Sequence, residues 1–214
     1  MIAANSLVFV VDDDASVRKG LTRLLRSAGY KSEIFVSASD FLAREQHAGP
    51  ACVIVDVQMP AVNGMELQAD LIRRHREEQL VFITGHGDIP MSVQAMKAGA
   101  VDFLRKPFCD DELLQCVQNA LGRSAEQRRN SSKRDAARRL CDLLTPREFE
   151  VMQLVITGML NKQIAGALGT AEKTVKVHRG RVMEKLDVTS VAELVLLMQT
   201  AGLGPVAGPK TKVP

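Results

Sequence analysis

The chain has 214 residues, 46% hydrophobic and 25% charged, the balance of a soluble globular protein with room for two ordinary domains. No apolar run approaches the length of about 18 residues that marks a membrane span, which argues against an integral membrane role. The net charge of +3 is unevenly spread: residues 1–121 carry 12 Lys/Arg against 16 Asp/Glu, and residues 122–214 carry 16 against 9. An acidic first half and a basic second half suggest two modules with different partners, the second a candidate for nucleic acid.

The opening "MIAANSLVFVV" has no basic stretch ahead of its apolar run and no small-residue cleavage pattern. It reads as the approach to a first strand, not as a signal peptide. Apolar, β-branched runs then recur at 7–11, more weakly at 31–36, and again at 52–56, 80–84 and 101–107. Between them lie segments of helical period, in which Val17, Leu21, Leu24 and Leu25 share a face, as do Leu67, Leu71 and Ile72. Val93, Met96 and Ala100 form another such face, and Leu113, Leu114, Val117 and Leu121 a last one. Continuous apolar strands alternating with amphipathic helices predict a parallel sheet covered on both faces. Residues 1–121 are therefore expected to form a flavodoxin-like doubly wound α/β domain, with its ligand site beyond the C-terminal ends of the strands.

Residues 122–142, "GRSAEQRRNSSKRDAARRLCD", are polar and basic and read as a partly helical linker continuing the preceding helix. Residues 143–200 carry helical period throughout and predict an all-α four-helix domain. Thr145, Pro146 and Glu148 form a helix start with a capping box, and Gly158 ends that helix. Asn161 is expected to cap a short helix closed by Gly169. Longer helices are expected over 172–186 and 190–200, and the Gly/Pro-containing tail 201–214 is expected to be mobile. The four cysteines, Cys52, Cys109, Cys116 and Cys141, lack Cys-x-x-Cys spacing and are expected as reduced thiols of a cytoplasmic protein.

Strand ends that carry polar residues deliver them to one rim of a parallel sheet. Here those residues are Asp12, Asp13, Asp56, Thr84 and Lys106. Clustered carboxylates raise one another's pKa unless a cation compensates them, and Mg²⁺, held through carboxylates and water, suits such a set. Lys106 can pair with an anionic group and Thr84 can hydrogen-bond one, so an aspartate among them is placed to accept a phosphoryl group. Asp14 reads as a turn into the first helix. His86, in a Gly-flanked loop, is not read as a phosphorelay histidine.

Asp12-Asp13, Asp56 in "DVQMPAVNG", Thr84, and Lys106-Pro107 in "LRKPF" together resemble the response-regulator receiver domains of two-component signalling. The resemblance implies that Asp56 is the phosphoacceptor for a sensor histidine kinase. It implies Mg²⁺ held by Asp12, Asp13, Asp56 and the backbone carbonyl of Gln58, with Thr84 and Lys106 meeting the phosphoryl group. It also implies that Phe103 is an aromatic switch and that the Lys106–Pro107 bond is cis.

In "NKQIAGALGTAEKTVKVHRGRVMEKL" a short helix, a tight turn and a longer basic helix follow one another, an arrangement able to set the second helix in a DNA major groove. The stretch 144–186 resembles the LuxR-type helix-turn-helix, and with the receiver the chain is similar to FixJ-like response regulators. That likeness implies a cytoplasmic transcription regulator, not an enzyme, that dimerises when phosphorylated and binds double-stranded promoter DNA, with RNA polymerase as a further partner. Lys176, Val177 and Arg179 or Arg181 would face the DNA, and Lys173 and Thr174 would meet phosphates. Gly180 stands where some relatives carry a basic residue, which leaves the choice of base-reading residues open. One competing reading is a haloacid-dehalogenase-like phosphatase using the Asp12-x-Asp14 spacing; it leaves Asp56 and the basic helix unexplained. Another is a receiver-based module whose helical half binds protein.

Overall fold

The computed structural model describes residues 5–85 and 89–204; His86 lies outside them, as do residues 205–214 of the tail. Five strands, β1 (Leu7–Val11), β2 (Ser32–Phe35), β3 (Ala51–Asp56), β4 (Gln79–Thr84) and β5 (Asp102–Arg105), form one parallel sheet in the order β2-β1-β3-β4-β5. The helices of this part are α1 (Ala15–Ser27), α2 (Ala38–Ala43), α3 (Gly64–Arg73), α4 (Ile89–Lys97) and α5 (Asp110–Cys141). The period-2 geometry of a strand divides the core in two. Phe9, Val11, Val53, Val55 and Phe82 face α2, α3 and α4, while Val8, Val10, Cys52, Ile54 and Ile83 face α1 and α5. β3 is buried at all six positions, as a central strand covered on both sides must be.

Local chemistry starts the helices. The Asp14 carboxylate accepts from the Ser16 amide at 2.7 Å and caps α1, which is the turn role read from the sequence. Asn63 and Glu66 form a reciprocal capping box at α3. The short α2, capped by Ser37, is an element the periodicity did not reveal, since six residues are too few to display a repeat.

On α4 the expected face is only partly used. Ala95 and Ala100 are buried, but Val93 is 44% exposed and Met96 43%. The small Ala95 brings the helix against the sheet, where its carbonyl accepts from Gln68 Nε2 at 3.1 Å, and this rolls Val93 and Met96 outward. Ile72, grouped with Leu67 and Leu71, is likewise exposed.

The chain divides within α5 into two compact units, Met1–Arg129 and Asn130–Pro214. The first reaches past residue 121 because α5 stays bonded to the N-terminal rim of the sheet. Ser124 Oγ accepts from the Ala51 amide at 3.0 Å, and Gln127 bonds Gln79. Arg128 donates to the carbonyls of His47 (2.6 Å) and Gly49 (2.9 Å) and to Glu77 (2.9 Å).

The second unit contains α6 (Pro146–Val155), α7 (Asn161–Ala167), α8 (Glu172–Lys185) and α9 (Val191–Ala201). Their core includes Val151, Met152, Val155, Ile164, Val175, Val182, Leu186, Leu194 and Met198, joined by Ala137 and Cys141 from the end of α5. Thr145 and Glu148 form the expected capping box. Lys185 Nζ donates to Glu148 Oε2 at 2.6 Å, and with the Thr145 amide this holds the carboxyl down at about 2. Asn161 is not the cap of α7. Leu160 occupies that position, its amide held by the Gln163 side chain at 2.8 Å, and Asn161 is the first helical residue. Among the described residues all four cysteines are free, and no helix is long and apolar enough to cross a membrane.

Candidate functional site

β1 and β3 are neighbours in register, Val11 beside Val55, so the residues that follow them, Asp12 and Asp56, come out together at the C-terminal rim. This is also where the strand order reverses direction, the usual ligand position of an open parallel sheet. Asp12, Asp13 and Asp56 each offer a carboxylate oxygen within 4.8 Å of the others. Asp12 and Asp56 are buried, and Asp13 is exposed beside Gln58 in an open cleft of about 550 Å³.

Lys106, one residue past β5, reaches back across the rim. Its Nζ donates to Asp56 Oδ2 at 2.7 Å and to Asp12 Oδ2 at 3.0 Å. Its backbone amide donates to the Thr84 carbonyl at 2.7 Å, and its bond to Pro107 is cis. The second oxygen of each buried carboxylate is also held, Asp56 Oδ1 by the Gln58 amide at 3.0 Å and Asp12 Oδ1 by the Asp14 amide at 2.8 Å. Burial raises the Asp12 carboxyl above its ordinary value, against the pull of the Asp14 amide and Lys106. Burial alone would lower the Lys106 ammonium, but its hydrogen bonds to Asp56 and Asp12 outweigh this and raise it. Three carboxylates facing one ammonium leave the rim with surplus negative charge. That donor set fits a hard divalent cation.

Thr84 ends β4 fully buried, and Phe103 lies half-buried in β5 with its ring 6.0 Å from that of Phe82. Two residues of the site carried no expectation from the sequence. Gly64, at the start of α3, has no room for a side chain, since a Cβ there would stand 2.6 Å from the Asp56 carbonyl oxygen. The Asn-Gly pair before a helical segment was its one local signal. Arg18, one turn into α1, donates to the Asp12 carbonyl at 2.6 Å.

In the second unit Val175 and Val182 bury one side of α8. Lys173, Thr174, Lys176, Val177 and Arg181 are exposed on it. Arg179 is half-buried and donates to Asn161 Oδ1 of α7 at 3.1 Å. Gly180 is open: apart from its chain neighbours and the backbone of its own helix, no atom lies within 4 Å of where a Cβ would stand.

A family profile described as the response regulator receiver domain matches residues 8–118, more than half of the chain. The chain belongs to the response regulators. A second profile, of the luxR family of bacterial regulatory proteins, matches residues 142–198, so this response regulator joins a receiver domain to a LuxR-type DNA-binding domain. It is 45% identical over 203 residues to Nodulation protein W of Bradyrhizobium diazoefficiens, spanning 94% of this chain and 88% of that protein. It is 40% identical over 198 residues to the transcriptional regulatory protein FixJ of Azorhizobium caulinodans, spanning 92% and 94%. The solved structure of the response regulator StyR matches it with a TM-score of 0.79 at 50% identity, over 92% of this chain and 99% of that one. The response regulator thus has the flavodoxin-like receiver and the helical second domain expected from its sequence.

Proposed function

We propose that this response regulator is switched by phosphorylation of Asp56 by a sensor histidine kinase and, once phosphorylated, dimerises and binds promoter DNA. The observation that carries the reading is the Asp56 carboxylate, set beside Asp12 and Asp13 with its Oδ2 2.7 Å from the Lys106 ammonium. In the transfer an Asp56 oxygen bonds to phosphorus as the phosphorus–nitrogen bond of the kinase phosphohistidine breaks, and the electron pair returns to the imidazole nitrogen. Lys106 and Thr84 then contact the phosphoryl oxygens. Asp12, Asp13, Asp56 and the Gln58 carbonyl would hold Mg²⁺, which when bound neutralises the carboxylates and the incoming phosphoryl charge.

A phosphoryl group on Asp56 competes for Lys106 and Thr84, and Phe103 follows the movement of Thr84. The surface from α4 to α5 carries the readout. Its exposed apolar residues Ile89, Val93 and Met96 offer an interface to a second copy, which brings two α8 helices to two half-sites. RNA polymerase is the partner downstream. The reading places the protein in the cytoplasm, where its free thiols stay reduced.

The test is DNA affinity of the full chain with and without kinase or acetyl phosphate. Wild type gains affinity on phosphorylation and Asp56→Asn does not. An Asp56→Asn variant that keeps the phosphate dependence would refute the proposal.

A further inference from the structure

The α8 residues the sequence marked for DNA do not all point the same way. At about 100° per residue, Lys173, Val177 and Gly180 stand about 140–160° from buried Val175, at the centre of the outward side. Lys176 and Arg181 stand about 100–120° from it and flank that centre. Arg179 stands only about 40° away, on the side that turns toward the rest of the helical unit. Its half-burial and its 3.1 Å bond to Asn161 Oδ1 agree with that direction. A guanidinium has five donors in a fixed fork; Asn161 takes one Nη1 hydrogen, which fixes the plane and leaves the other donors for a ligand.

Which ligand follows from chemistry and place. The DNA-facing centre carries one cation, Lys173 in the first turn, and is uncharged beyond it at Val177 and Gly180, so past that turn an incoming duplex meets its cations at the margins. Arg179 lies at the seam where the first turn of α7 meets α8, set back from the face that would enter a groove. A side chain tethered there cannot extend to a base edge, but a phosphate on the strand bordering the groove comes to it. We propose that Arg179 grips a DNA backbone phosphate from the α7–α8 seam, with Asn161 as its positioning residue, and reads no base. Base reading then falls to Lys176, Val177 and Arg181 around the gap at Gly180. The inference rests on the DNA-binding reading of the second domain and assigns roles within it.

The experiment uses the full chain, phosphorylated, with a duplex selected by the wild type from a random pool and a scrambled duplex of equal length, from 50 to 200 mM salt. Each phosphate contact contributes about 0.9 to the slope of log affinity against log salt. Arg179→Gln is therefore expected to weaken both duplexes by similar factors and to make the fall in affinity across that salt range about 3.5-fold smaller. Arg179→Lys keeps the charge and is expected to keep the slope while losing affinity. Asn161→Ala weakens binding in the wild-type background and adds little to Arg179→Gln, since the two act as one unit. Arg181→Gln instead lowers the ratio between the two duplexes. Circular dichroism melts of each variant check that the helical unit is folded. If Arg179→Gln collapses the preference for the selected duplex and leaves the salt slope unchanged, Arg179 reads a base and the inference is overturned. Full additivity of Asn161→Ala and Arg179→Gln overturns the positioning role. Failure of the wild type to bind any duplex would instead reject the DNA-binding reading itself, and the inference with it.

Discussion

Replacing Asp13 by Asn separates the two demands placed on the acidic rim. Asp13 has a carboxylate oxygen within 4.8 Å of one from Asp12 and one from Asp56, and at that separation each like-charge pair costs about 1 kcal/mol in a water-like dielectric. Lys106, bonded to the other two carboxylates, offsets roughly one of those pairs. The variant should therefore be more stable than wild type without metal by about 1 kcal/mol, a rise of about 4 °C in Tm for a domain of this size. With magnesium the order should reverse. A ligand at ten times its Kd stabilises the folded state by about 1.4 kcal/mol, which the wild type gains and the Asn variant, short of one donor, does not. Scanning calorimetry of the first transition in EDTA and in excess magnesium reads both effects. A variant no more stable than wild type in EDTA, or one with an undiminished magnesium response, refutes the reasoning.

Gly64→Ala should force the Asp56 backbone aside, because the new Cβ falls 2.6 Å from the Asp56 carbonyl oxygen; phosphorylation by acetyl phosphate is expected to slow by about 10²-fold with the domain still folded. Val93→Asp places a charge on an exposed position of α4 and should leave the phosphorylated protein monomeric in sedimentation, with its thermal stability unchanged. Arg128→Met strips partners from His47, Gly49 and Glu77 and should cost about 2 kcal/mol, read as a lower urea midpoint. The Glu148 carboxyl, held at about 2 by Lys185 and the Thr145 amide against an ordinary 4.5, prefers the folded state when ionised. Its contribution is whole above pH 4.5 and is lost as the pH falls toward 2; acid melts of Glu148→Gln should lack that component.

What the sequence revealed and what it hid divide by range. The runs ending in Asp12, Asp56 and Thr84 are local patterns, and the rule that a parallel sheet gathers strand ends on one rim turns them into a site. The caps at Asp14 and Thr145 are equally local, each within three residues of its partner. The bonds of Arg128 to residues 79 and 81 positions upstream leave no periodic trace, so the pattern of the chain does not show that the first compact unit runs on to Arg129. Asn161 reads as a cap because side chains of its type usually fill that position, while its actual partner, Arg179, lies 18 residues on. Val93 and Met96 show the limit of periodicity, which finds an apolar face but not whether this chain buries it or a second chain does. The phosphatase reading fails on the same geometry, since Asp14 is engaged as a helix cap and the buried carboxylate beside Lys106 and Asp12 is Asp56.

The fastening of α5 at Arg128 bears on how such a protein can be cut apart. Trimming the chain after Leu121, where the apolar repeat of α5 stops, would strip hydrogen-bond partners from the carbonyls of His47 and Gly49 and from the amide of Ala51. Ala51 opens β3, the strand that carries Asp56 at its other end. A shortened receiver would lose its grip on β3 from the end opposite Asp56, the proposed phosphoacceptor, and any phosphorylation kinetics measured on it would belong to a looser molecule. The smallest fragment that keeps the strand's foundation ends beyond Arg128.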